Sequence, residues 1–228
     1  MVDWERNWRG NGVIAAVLFI VAYLIYGSHP KVGASAEKLA SFYDGERTRI
    51  LIASVVFGFA FLCLMWFAAA LASVLRDAEK GGWGRAATAA SAAIGAVYFV
   101  LITLWTALAY SIAGPGNEQV TSALNDLTWV LHGFAWFPIA MLIMAGSFGL
   151  WRAGIFSNAA FGAGVTAMVL VLLGVTTWAS DGFWAPDGAY VRFVPTIAML
   201  VWIAAVSAFL MRQPSSVSTH DRAAVPAA

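Results

Sequence analysis

His132 is the one ionisable side chain lying well inside an apolar run of this sequence, and its neighbours are aromatic. Trp129, His132 and Trp136 recur at i, i+3 and i+7, so a helix through them carries all three on one face. A neutral imidazole offers one donor and one acceptor. Indole rings offer flat apolar walls and a single N–H donor each. Brought together, these groups suit a pocket for a lipid, a quinone or another flat apolar ligand, with His132 as the polar contact. Trp105 and Tyr110 from the preceding run would join them if the helices converge, as would Trp178 from the following run. Arg192, Asp181, Trp184 and Asp187 lie within reach further on, and Thr103, Thr106, Thr176 and Thr177 would add hydroxyls.

Two structural readings compete with the pocket. Trp and Tyr collect at membrane–water interfaces as a belt. A lone His inside a membrane can simply hydrogen-bond a neighbouring helix. Arg192 with Asp181 or Asp187 reads most simply as an ion pair that closes a loop.

Catalytic signatures are missing. The chain has no H-E-x-x-H, G-x-S-x-G, Walker loop, dinucleotide glycine motif or C-x-x-C. No catalytic residue, cofactor or metal is therefore expected. Bis-histidine haem ligation would have to use His29 and His132, because the third histidine, His220, lies in the tail. The single cysteine, Cys63, sits in an apolar run and can form neither an internal disulfide nor a zinc set of its own.

The elements that must position these residues follow from composition. Of 228 residues, 61% are hydrophobic and only 11% charged, against roughly 25% charged in an ordinary soluble domain. Mean hydropathy is +0.77. Too few charges are available to clothe a soluble fold, which excludes soluble enzymes, secreted disulfide modules and disordered chains. A net charge of +1 with no basic stripe gives nucleic acid no purchase. The expected fold is all-α: a polytopic bundle in a membrane.

Six apolar runs approach or exceed the roughly 20 helical residues that cross a hydrocarbon core. They fall at about 12–27, 50–75, 86–113, 127–149, 155–180 and 190–211. They hold no Asp, Glu or Lys, and Arg192 is the only Arg. The runs are continuous rather than alternating, which favours helices over a β-barrel. Residues 1–212 read as one six-span domain, and 213–228 as a disordered cytoplasmic tail rich in Ser, Ala and Pro. The first run is short and follows Arg6 and Arg9, as a signal peptide does. The interfacial pair Trp4 and Trp8 argues that it is retained as a helix.

With the N-terminus inside, the inner segments carry 8 Lys and Arg and the outer segments 5. The positive-inside rule then places both ends in the cytoplasm of a bacterial cell, with the bundle in the inner membrane. The outer segment 28–49 contains a short amphipathic helix, capped by Ser35 and lying on the membrane face, with Leu39, Phe42 and Tyr43 at i, i+3 and i+4. Small residues mark the packing faces: the alanines from Ala86 to Ala96, Ala145 with Gly149, Ala160 with Gly164, and Gly162 and Gly174. Pro138 interrupts the hydrogen-bond ladder of the fourth run.

Phe42-Tyr43-Asp44-Gly45-Glu46-Arg47-Thr48-Arg49-Ile50 leads into the second span, and Trp66-Phe67-Ala68-Ala69-Ala70-Leu71 leads out of it toward Arg76. In these stretches, about an eighth of the chain, and in its helix spacing, the sequence resembles a broad set of small six-span bacterial membrane proteins of unknown function. The resemblance implies a fold class and no activity.

Three functions are consistent with these features. The first is a non-enzymatic accessory protein that packs beside a membrane-protein partner or a second copy, with lipids around it. The second is a binding protein or carrier for an apolar, lipid-like ligand held at His132. The third is an intramembrane enzyme using His132, for which no second catalytic group stands out.

Overall fold

A computed structural model describes residues 4–175 and 179–213. Its helices are α1 (Trp4–Tyr26), α2 (Ala36–Tyr43), α3 (Arg47–Asp77), α4 (Gly81–Ala107), α5 (Glu118–Arg152), α6 (Asn158–Leu172) and α7 (Ala189–Met211). A π-helical turn, Leu108–Ile112, prolongs α4. Thr176, Thr177, Trp178 and the tail from 214 onward lie outside the described residues.

Among the described residues, five helices are long and apolar enough to cross a membrane: Asn7–Tyr26 of α1, α3, α4 with its π turn, α5 and α7. The expected span at 155–180 is not among them. Its helix, α6, has 15 residues, about 22 Å at 1.5 Å per residue. Ser157 caps its start by accepting a hydrogen bond from the Ala160 amide at 3.2 Å, which leaves Ile155 and Phe156 outside the helix. At its other end the chain turns through Leu173 and Gly174. A Cβ on Gly174 would stand 2.6 Å from Cγ of Pro195 on α7. The backbone there is pressed against a neighbouring helix, and the apolar run continues past the end of the helix.

The six longer helices pack as a closed ring in the order α1, α3, α4, α5, α6, α7, with α7 returning to α1. Small residues set several of the contacts, as expected where lipid offers no driving force between helices. A Cβ on Gly84 of α4 would stand 2.9 Å from the Ala72 carbonyl of α3, and one on Gly146 of α5 would stand 2.7 Å from the Trp202 ring of α7. Gly149 is blocked by Leu75 and Trp83, and Gly164 of α6 by Ser147 of α5. Gly162 faces open space.

The described ends of the chain meet. Arg9 Nη1 donates to the Gln213 carbonyl at 2.9 Å, and the Val13 amide donates to Ser207 Oγ at 3.2 Å. At the other end of the same helix pair, Arg192 Nε of α7 donates to the Tyr23 hydroxyl of α1 at 2.8 Å. Outward positions are apolar, among them Leu24, Val55, Phe59 and Ile197, the surface that a helix among lipid tails presents.

The α2 helix forms where Ser35 was expected to cap it, with Ser35 Oγ accepting from the Lys38 amide. Its apolar residues turn into the protein: Leu39 and Tyr43 are fully buried against the bundle. Gly27, which follows α1, has φ +77° and bonds back to the Tyr23 carbonyl at 3.1 Å, a left-handed helix cap that favours glycine. From there residues 28–35 cross the α2 end of the ring.

Candidate functional site

Sequence spacing puts Trp129, His132 and Trp136 on one face of α5, and the ring turns that face inward. Trp129 and Trp136 are buried. The His132 ring centre is 4.9 Å from that of Trp136 and 6.3 Å from that of Trp129. From α4, Tyr98 brings its hydroxyl to 3.5 Å from His132 Nδ1 and stacks on Phe61 of α3 at 4.5 Å. About two turns further along α4, Trp105 lies 4.7 Å from Tyr26 of α1. These rings enclose a cavity of about 240 Å³ at the α2 end of the bundle, walled almost wholly by apolar atoms.

Five of the seven expected site residues line that one chamber: Trp105, Trp129, His132, Trp136 and Arg192. Tyr110 does not. The π turn carries it outward, where it is 63% exposed with the Arg47 guanidinium 4.9 Å above its ring. Trp178 is outside the described residues. Arg192 pairs with neither Asp181 nor Asp187 among the described residues; its partner is Tyr23 across the α1–α7 contact. Trp129 has a structural duty besides lining the cavity, donating from Nε1 to the Pro30 carbonyl at 2.8 Å.

His29, absent from the expected pocket, sits at its roof. The ring is 4.9 Å from Trp129 and 5.7 Å from Trp105. Tyr26 Oη lies 2.9 Å from Nδ1, and Thr128 Oγ1 lies 3.1 Å from Nε2. The Thr128 hydroxyl proton is committed to the Asn125 carbonyl at 2.7 Å. Thr128 therefore accepts from His29, which assigns the proton to Nε2 and leaves Nδ1 to accept from Tyr26. Both ring nitrogens are occupied, so His29 and His132 do not form a free pair for haem iron. Among the described residues no group of three or more His, Cys, Asp or Glu could hold a metal.

The roof is tied to α5 by side chains that hydropathy alone does not mark. Asn125 is fully buried; its Oδ1 accepts from the Tyr43 hydroxyl at 3.0 Å, and its Nδ2 donates to the Lys31 carbonyl at 3.2 Å. Asp126 Oδ1 accepts from the Gly33 amide at 3.1 Å. Burial, followed by the nearby His132 and Arg192, lowers the His29 pKa from 6.5 to about 3. The folded protein thus holds His29 neutral, whereas the unfolded chain protonates it below about pH 6.5. Stability on this account is intact above pH 6.5 and declines as pH falls toward 3. Between pH 7 and pH 5 the loss is about 2 kcal/mol. Denaturant titrations of the protein and of His29→Gln at both pH values check this. The variant's stability should change less over that interval, and an equal decline in both would refute the assignment.

The comparisons with known proteins place no constraint on the chemistry. No family model matches the chain, no curated protein does, and neither does any solved structure.

Proposed function

We propose that the protein is a multi-pass membrane protein that binds an apolar, lipid-like ligand in the chamber around His132. The observation that carries this reading is convergence. Residues from five helices and one loop meet around a single aromatic cavity, with an imidazole inside it and a guanidinium at its edge. A packed core would fill such a space. The accessory role, which rests on short loops and small-residue helix faces, has less support, because two of those small residues, Gly149 and Gly164, make their contacts within the chain.

Six crossings with both ends in the cytoplasm remain our topology, in a bacterial inner membrane. It is supported by the meeting of Arg9 with Gln213 at one end of the bundle and of Tyr23 with Arg192 at the other. In this topology α6 supplies most of one crossing. After removal of Cys63, single cysteines at 82 and 183 test it. A membrane-impermeant thiol reagent on intact cells should label 183 only; labelling at 82 would reverse the orientation.

Native mass spectrometry after gentle detergent extraction tests the ligand reading. The protein should carry a small-molecule adduct that His132→Ala loses while its melting temperature stays within a few degrees. A bare wild-type protein, or an adduct that survives in His132→Ala, would overturn the reading.

A further inference from the structure

Two residues that line the chamber carry unsatisfied polar atoms. Trp105 Nε1 and Trp136 Nε1 are both buried with no hydrogen-bond partner, and Trp136 is only 1% exposed. An indole nitrogen can donate and cannot accept. His132 adds an imidazole. Its Nδ1 lies 3.5 Å from the Tyr98 hydroxyl, and its Nε2 has no hydrogen-bond partner among the described residues. Buried donors left without acceptors are unfavourable, and native proteins seldom retain them. Two unpartnered indole donors and one imidazole on residues lining an apolar cavity call for a neutral ligand bearing acceptor oxygens. A carboxylate would bring a buried charge with no cation beside it at that depth, since Arg192 is at the edge and engaged with Tyr23.

The second observation is where the cavity reaches the surface. Its lining includes Ile20 and Leu24 of α1 and Phe193 and Ile197 of α7. These residues are 49%, 74%, 45% and 58% exposed. The mouth is therefore lateral, between α1 and α7, and rimmed by side chains suited to lipid tails. A ligand that uses it has an apolar tail pointing into the bilayer and a flat head among the aromatic rings.

Resting on the reading of the chamber as a ligand site, we infer that the ligand is a tailed quinone. Its ring lies among Trp105, Trp136 and His132, its carbonyl oxygens accept from their N–H groups, and its tail leaves between α1 and α7. Isothermal titration of the full chain in detergent micelles tests this with three probes of similar tail length: decylubiquinone, decylbenzene and laurate. Decylubiquinone should bind saturably and at least about 10-fold more tightly than either of the others. Trp105→Phe and Trp136→Phe, which keep a ring and delete the donor, should each weaken decylubiquinone about 3- to 10-fold and leave decylbenzene unchanged. The unchanged decylbenzene affinity shows that the chamber is still formed.

Equal binding of decylubiquinone and decylbenzene would overturn the quinone and leave an apolar ligand site. Tighter binding of laurate would also overturn it, in favour of an acidic head on Arg192. Absence of binding by all three would overturn both the inference and the chamber reading beneath it.

Discussion

Gly164→Leu should unseat α6. The α-carbon of Gly164 is so close to Ser147 of α5 that even a methyl group would overlap its hydroxyl. Ser147 is itself buried and accepts a hydrogen bond from Trp202 Nε1 at 3.0 Å, so it has no room to retreat. A leucine must push α6 away from α5 and break the Trp202 bond. Overpacking of this kind costs about 3 kcal/mol, and the lost bond adds about 1 kcal/mol. The expected result is a fall in melting temperature of more than 10 °C, with a smaller fall for Gly164→Ala. Gly162→Leu on the same helix serves as the control, because a Cβ there meets nothing. Equal effects at 162 and 164 would show that the contact does not set the position of α6.

Asn125→Leu should release the roof of the chamber while leaving the ring assembled. The substitution strands the Tyr43 hydroxyl, buried and without an acceptor, and removes the donor to the Lys31 carbonyl. A buried group left unsatisfied costs about 1–3 kcal/mol, so a total near 3 kcal/mol is expected for the two. The cost should be local, because the helix contacts of the ring do not pass through Asn125. Trypsin supplies the readout. Lys31 lies in the strap held by Asn125, and cleavage after it should rise at least tenfold in the variant. Tyr43→Phe should show a smaller increase. Unchanged protection of Lys31 would mean that Trp129 and Asp126 hold the strap without help.

Much of the helical frame was legible in the sequence, because long uncharged runs have few other solutions. The runs at 50–75 and 190–211 foretell α3 and α7 to within three residues. Ser35 marks the start of α2 for a reason that needs no tertiary information: a side-chain acceptor before an exposed amide. The errors share a physical origin. Apolar runs report the part of a helix that suits hydrocarbon and miss the polar turns at its ends, so α5 begins at Glu118, well before the run at 127–149. Those early turns carry Asn125 and Thr128, which hold the roof. The run at 155–180 differs in the opposite sense: its helix is shorter than the run, because hydropathy does not register the turn at Leu173 and Gly174.

For the site, the i, i+3, i+7 spacing on α5 was sufficient to group Trp129, His132 and Trp136. Tyr26, Tyr98 and His29 were missed because their place depends on which helices are neighbours in the ring, and local pattern does not encode that order. His29 did carry a signal. It is one of three histidines, next to Pro30 and immediately after a span, and a short strap of that kind has little choice but to fold over the end of the bundle.

The ring also has a mechanical asymmetry. Five of its six joints are bridged by chain: the segments 27–46, 78–80, 113–117, 153–157 and 173–188 each tether one helix to the next around the circle. The sixth joint, α1 against α7, is held by side chains and a few hydrogen bonds, because these helices lie at opposite ends of the sequence. Parting α1 from α7 near Tyr23 strains no connecting loop, because none joins the two directly. An opening at that joint would expose the chamber, because Leu24 and Ile197 border it there.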